Sequence, residues 1–162
     1  MTPVHSWSAF LADEMATLTL AGRMADCLPA AHSFVIYLQG DLGTGKTTLT
    51  RGVLRAMGEQ GAVRSPTYGL IAEYDTPRGR VLHLDLYRLR QPEELAALGL
   101  ADYLAGTCLW LIEWPEQAQG ARLPAADVIV SIEVEQAGRR LQIAPASDTG
   151  HRWVGCLGPD SV

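Results

Sequence analysis

The chain has 162 residues, 48% of them hydrophobic and 19% charged, with a formal net charge of −5. That length and composition suit one compact domain that buries its own core without a metal or a disulfide framework. The negative balance is the wrong sign for a protein that grips nucleic acid unaided, and no apolar run approaches the roughly 18 residues of a membrane-spanning helix.

Cys27, Cys108 and Cys156 are odd in number, widely spaced and outside any C-x-x-C pattern. This argues against a disulfide framework or a zinc site and for a reducing, cytoplasmic setting. The opening MTPVHSWSAF lacks a basic stretch followed by an apolar one, so no secretory leader is expected.

From Asp13, a capping residue, Met15, Leu18, Gly22, Ala25 and Leu28 recur at helical spacing until Pro29, which predicts a helix over 14–28. FVIYLQ, residues 34–39, is a short apolar run ending in glycine-rich sequence and reads as a buried parallel strand. Leu49, Val53 and Met57 then share one face of a helix over 46–57, stopped by Gly58. TYGLIAEYD and RVLHLDLYR flank a Pro/Gly turn and predict a hairpin whose opposed residue numbers sum to about 155. In that register Asp85 faces Leu70, Thr67 comes near Arg88, and Val81, His83, Asp85 and Tyr87 share one face.

Pro92 with Glu93 and Glu94 marks a short helix ending at Gly99. CLWLIEW, residues 108–114, is a second buried strand, and the acid at its end needs a partner because an unpaired buried carboxylate is costly. DVIVSIEVE and RRLQIA form a second hairpin around 136–138, with Val128, Val130, Ile132 and Val134 inward. The pattern fades after Ala144. Residues 1–144 therefore read as one domain and 145–162 as a loosely attached tail.

Gly40-Asp41-Leu42-Gly43-Thr44-Gly45-Lys46-Thr47, followed by Thr48, satisfies G-x-x-x-x-G-K-[ST] between a strand and a helix. A loop that closes on phosphate must turn its N–H groups inward, through backbone angles that glycine adopts cheaply. The helix that follows adds its free N-terminal amides and the positive end of its dipole. Lys46 is the single lysine of the chain. It is placed to reach the β- and γ-phosphates of a nucleotide, and Thr47 to offer a hydroxyl to Mg²⁺.

Such a site needs an acid at the end of a neighbouring strand. Glu113, after LWLI, is favoured for the metal shell, with Asp85 for metal or water orientation; the plain alternatives are a cap for the Pro115 turn and pairing with Arg88 or Arg90. Thr67, held by Pro66, suits a γ-phosphate sensor but is also ordinary turn chemistry. His83 reads equally well as a satisfied sheet histidine, and Trp114 as a packed residue at a strand end or a stacking surface.

Four blocks, GDLGTGKTTLTRG (40–52), SPTY (65–68), HLDLYRL (83–89) and LIEWPEQ (111–117), resemble in order and spacing the TsaE family, formerly YjeE. The likeness spans about Glu14 to Ala144. It implies a P-loop NTPase-like α/β fold: a central parallel sheet flanked by antiparallel hairpin strands, with helices on both faces. It also implies Mg²⁺ and ATP as ligands, weak ATP hydrolysis, and docking on the TsaB and TsaD pair of tRNA threonylcarbamoyladenosine synthesis, with tRNA touched only through the complex. The resemblance places Lys46, Thr47, Glu113 and Asp85 in the family's phosphate, metal and acid positions, and Glu14 near the nucleotide. Thr44 stands where alanine is commoner, and Gly69 where threonine is.

A GTPase is excluded, because guanine selection through N-K-x-D needs an asparagine and a second lysine and the chain has neither. A small-molecule kinase and a nucleotide-gated binding module, which would share the phosphate machinery, stay open. So does whether Arg51, Arg55, Arg64 and Arg88 meet a partner or tRNA.

Overall fold

A computed structural model of the chain describes residues 6–66 and 69–160. In chain order its elements are β1 (Trp7–Leu11), α1 (Glu14–Asp26), β2 (Phe34–Gln39), α2 (Lys46–Ala56), β3 (Ile71–Thr76), β4 (Gly79–Asp85), α3 (Pro92–Ala96), β5 (Thr107–Glu113), β6 (Val128–Glu135), β7 (Gly138–Pro145) and α4 (Asp148–Leu157). One sheet holds all seven strands in the order β1-β7-β6-β2-β5-β4-β3. Strands β6, β2, β5 and β4 run parallel, β3 closes one side antiparallel, and β7 and β1 close the other.

Alternation along the strands sorts the side chains to two apolar layers. Phe34, Ile36 and Leu38 of β2, Leu109 and Leu111 of β5, and Val128, Val130 and Ile132 of β6 pack under α1, α2 and α4. Leu82 and Leu84 of β4, with Trp110 and Ile112 of β5, pack on the other side against Leu95 of α3 and Leu100. His83, Asp85 and Glu113, on the opposite parity, therefore belong to the α2 side. The expected hairpin register holds through the described residues: Ile71 faces Leu84 and Thr76 faces Gly79.

Four expectations give way. In α1 the buried face is Thr17, Leu20, Ala21, Met24 and Ala25, a full i, i+3, i+4 stripe, and Met15 is exposed. The apolar letters of a helix this rich in alanine and leucine support two faces, and packing on α2 selects the one with small residues: a Cβ on Gly52 would lie 2.6 Å from that of Ala21. Val134 points to solvent at the outer end of β6, past the reach of the helices.

The segment after Ala144 is not a loose tail. Ser147 caps α4 by accepting from the Gly150 amide at 2.9 Å, and Trp153 and Leu157 are buried in the core. Cys27, which follows α1, and Cys156 of α4 form a disulfide, with their Cα atoms 5.8 Å apart. The expectation against a disulfide fails, and with it the argument from the cysteines for a reducing setting, because the partners lie 129 residues apart and only the docking of α4 brings them together.

Candidate functional site

The parallel strands β2, β4 and β5 end side by side, with Leu38 beside Glu113 and Glu113 beside Asp85 in register. The loop leaving β2 wraps this edge and enters α2. Its glycines take positive φ: 146° at Gly40, 77° at Gly43 and 105° at Gly45. A Cβ on Gly40 would sit 2.5 Å from the Ile132 carbonyl oxygen and 2.8 Å from Thr44 Oγ1, so only glycine fits there. Gly45 caps α2 without a side chain, which leaves the first-turn amides open to an anion. Thr44 donates its hydroxyl to the Asp41 carbonyl at 3.0 Å, so its departure from alanine adds a bond within the loop.

Lys46 is almost fully buried, with Nζ donating to the carbonyls of Gly40 and Asp41, the latter at 2.8 Å. The ammonium also sits 4.4 Å from the centre of the Trp114 ring, which packs on Tyr87 at 5.0 Å. Burial pulls the Lys46 ammonium below the ordinary lysine range, against the opposing attraction of Glu113, Asp85, Glu116 and Asp41.

Glu113 is buried at 2% exposure, and its carboxylate accepts from Thr47 Oγ1 at 3.2 Å and meets His83 Nε2 at 2.8 Å. It does not cap the Pro115 turn: Trp114 begins that turn, in a left-handed conformation (φ 57°), with no side-chain cap. Asp85 accepts from the Tyr87 amide at 3.0 Å through Oδ1 and from the Ser65 hydroxyl through Oδ2. The structure therefore brings Lys46, Thr47, Asp85 and Glu113 to one cavity of about 430 Å³, together with Thr48 and Leu42 from the loop. Thr67 lies outside the described residues.

A second cavity of about 290 Å³ opens on the other side of the loop, between Gly43, Gly45, Thr48, Glu14 and Arg139. Glu14 lies in the first turn of α1 and pairs at 3.9 Å with Arg51. Arg139 is the residue that sequence reasoning missed: its guanidinium donates to the Thr44 and Gly43 carbonyls. The only hint was its place after the turn glycine of the second hairpin, which says nothing about a loop 95 residues earlier.

The donor set suits a magnesium nucleotide. Thr47, Asp85 and Glu113 present hard oxygens to the cavity, the donors that suit a cation held by one or two carboxylates together with substrate phosphates.

Comparison with known proteins decides the family. The model of the family "Threonylcarbamoyl adenosine biosynthesis protein TsaE" matches residues 11–142. The chain belongs to the TsaE family. It is 41% identical over 150 residues to the tRNA threonylcarbamoyladenosine biosynthesis protein TsaE of Haemophilus influenzae, covering 91% of this chain and 94% of that one. The Nostoc TsaE is 36% identical over 153 residues, 92% of each chain. The crystal structure of YdiB from Bacillus subtilis superposes with a TM-score of 0.77 at 24% identity over 97% of both chains, so this TsaE-family chain shares its fold. Among the described residues no helix is long and apolar enough to cross a membrane.

Proposed function

We propose that this chain is a cytoplasmic ATPase that binds ATP with Mg²⁺, hydrolyses it slowly alone, and acts by docking on the TsaB and TsaD pair of tRNA threonylcarbamoyladenosine synthesis, with tRNA contacted only through that complex. One observation carries the nucleotide part of the reading: a glycine loop, its lysine and threonine, and two carboxylates from neighbouring strands converge on one cavity at the carboxyl edge of a parallel sheet; the partner pair rests on family membership.

The roles follow from position. Amides from Gly40 through Thr48 cradle the phosphates, and Lys46 exchanges the carbonyls of Gly40 and Asp41 for β- and γ-phosphate oxygens. Both bonds it leaves are to neutral acceptors, so a phosphate anion is the stronger partner. Thr47 and Glu113 hold the metal side, and Mg²⁺, when bound, offsets charge on the phosphates. Asp85, steadied by Ser65 and the Tyr87 amide, orients water or the metal. Its bond to Ser65 ties it to the segment carrying Thr67, the proposed γ-phosphate sensor. The cavity beside Glu14 and Arg139 takes the nucleoside end, since it lies across the loop from the acids.

A kinase would need an acceptor lid. The span between Leu95 and Leu109 carries no arginine, and Leu95 and Leu100 anchor it to the core.

The test is phosphate release from Mg²⁺-ATP by the purified protein, alone and with the TsaB and TsaD pair. Slow release that the pair accelerates is the expected result, with Lys46→Ala folded and inactive. Equal turnover with and without the pair, or no uptake of ATP in calorimetry, overturns the reading.

A further inference from the structure

The described residues place a histidine behind the metal-side acid. His83 of β4 is fully buried, on the same face as Glu113 of the adjacent parallel strand. In register His83 sits beside Leu111, one pleat deeper in the sheet than Glu113, so the imidazole approaches the carboxylate from the core rather than from the cavity. Nε2 meets Glu113 Oε1 at 2.8 Å. Among the described residues Nδ1 has no hydrogen-bond partner. An orphaned N–H would be costly where a bare ring nitrogen is cheaper, so the contacts put the ring proton on Nε2, donating to Glu113.

We propose that His83 is a positioning residue: its Nε2–H locks the Glu113 carboxylate in the rotation that serves the Thr47 hydroxyl and the metal beside it. The terminal torsion of a glutamate is broad and has no well of its own to hold one orientation. Thr47 cannot supply the restraint alone, because its hydroxyl lies at 3.2 and 3.4 Å from the two oxygens and favours neither. The short bond from the ring breaks that symmetry. Groups behind a metal-binding carboxylate that fix its direction act in this way at other sites.

The inference rests on the Mg²⁺-ATP reading of Glu113, and the experiment separates the two. Calorimetry measures ATP affinity with Mg²⁺ and with EDTA for the wild type and for His83→Leu, His83→Asn and His83→Gln. A glutamine amide reaches the place of Nε2, whereas that of asparagine falls one methylene short. Leucine and asparagine are expected to leave metal-free affinity unchanged and to cut the magnesium-dependent gain by about tenfold or more. Glutamine is expected to retain most of the gain.

A purely structural histidine would shift both affinities together or neither. A wild-type gain in the leucine or asparagine variant, or equal behaviour of glutamine and asparagine, overturns the proposal. Should the leucine variant fail to fold, the amide pair still decides. Absence of any magnesium-dependent gain in the wild type removes the reading beneath it.

Discussion

Arg139 Nε donates to the Thr44 carbonyl at 3.0 Å, so the hairpin of β6 and β7 holds the phosphate loop from behind. A peptide unit is planar, with its C=O and N–H opposed. Tying back the Thr44 carbonyl therefore turns the Gly45 amide the other way, and a second bond at 3.2 Å to Gly43 steadies the preceding unit. Arg139→Ala is expected to weaken ATP binding by about tenfold, the scale of one or two lost charge-assisted bonds. Its melting temperature should fall by only about a few degrees, because the side chain supplies these bonds but no core packing. Unchanged ATP affinity in calorimetry would show that the loop holds its shape alone.

Glu113→Gln separates charge from shape. The amide keeps the length of the side chain but withdraws the negative charge proposed to face the metal. Magnesium-dependent phosphate release should fall by at least about a hundredfold, since metal-held charge stabilisation is worth several kcal/mol. Affinity for ATP in EDTA should hold or rise, because a carboxylate near phosphates repels them. A variant that hydrolyses ATP normally would move the metal role to Asp85.

Wherever local pattern and tertiary demand coincide, the sequence was a sufficient guide. FVIYLQ is β2 to the residue, and the hairpin register through Ile71 and Leu84 follows from turn chemistry and alternation alone. The placement of Lys46, Thr47, Asp85 and Glu113 follows from the same rules, because a glycine loop after a parallel strand has one edge to occupy. Strand β1 escaped notice, since WSAFL has no turn signals around it and gains its partner only from β7, more than a hundred residues away. Helix α4 escaped for a related reason. Trp153 and Leu157 give a single i, i+4 pair amid glycines, too little to mark a helix until Phe34 and Met24 supply its seat. The grip of Arg139 and the ring of His83 are contacts between elements, which letter spacing does not carry.

Breaking the Cys27–Cys156 link is expected to lower stability without touching the nucleotide. The link joins the end of α1 to α4, at the edge of the sheet opposite the phosphate loop. Closing so long a stretch of chain constrains the unfolded state by as much as about 4–5 kcal/mol in the chain-entropy view. Cys156→Ser, or the reduced wild type, should unfold at lower denaturant than the oxidised protein while binding ATP with the same affinity. Equal midpoints for the oxidised and reduced protein would mean that the bond does not form in solution.

Trp153→Ala tests whether α4 belongs to the core or merely hangs from its disulfide. The indole packs on Phe34 with ring centres 5.4 Å apart and donates its N–H to the Met24 carbonyl at 3.2 Å, joining α4 to both β2 and α1. Truncation opens a cavity and leaves that carbonyl without the donor, a loss of about 3–5 kcal/mol. Denaturant unfolding of reduced protein isolates this contribution, because the covalent link no longer masks detachment of the helix. If the reduced variant unfolds at the midpoint of the reduced wild type, the helix contributes nothing to the fold beyond its sulfur.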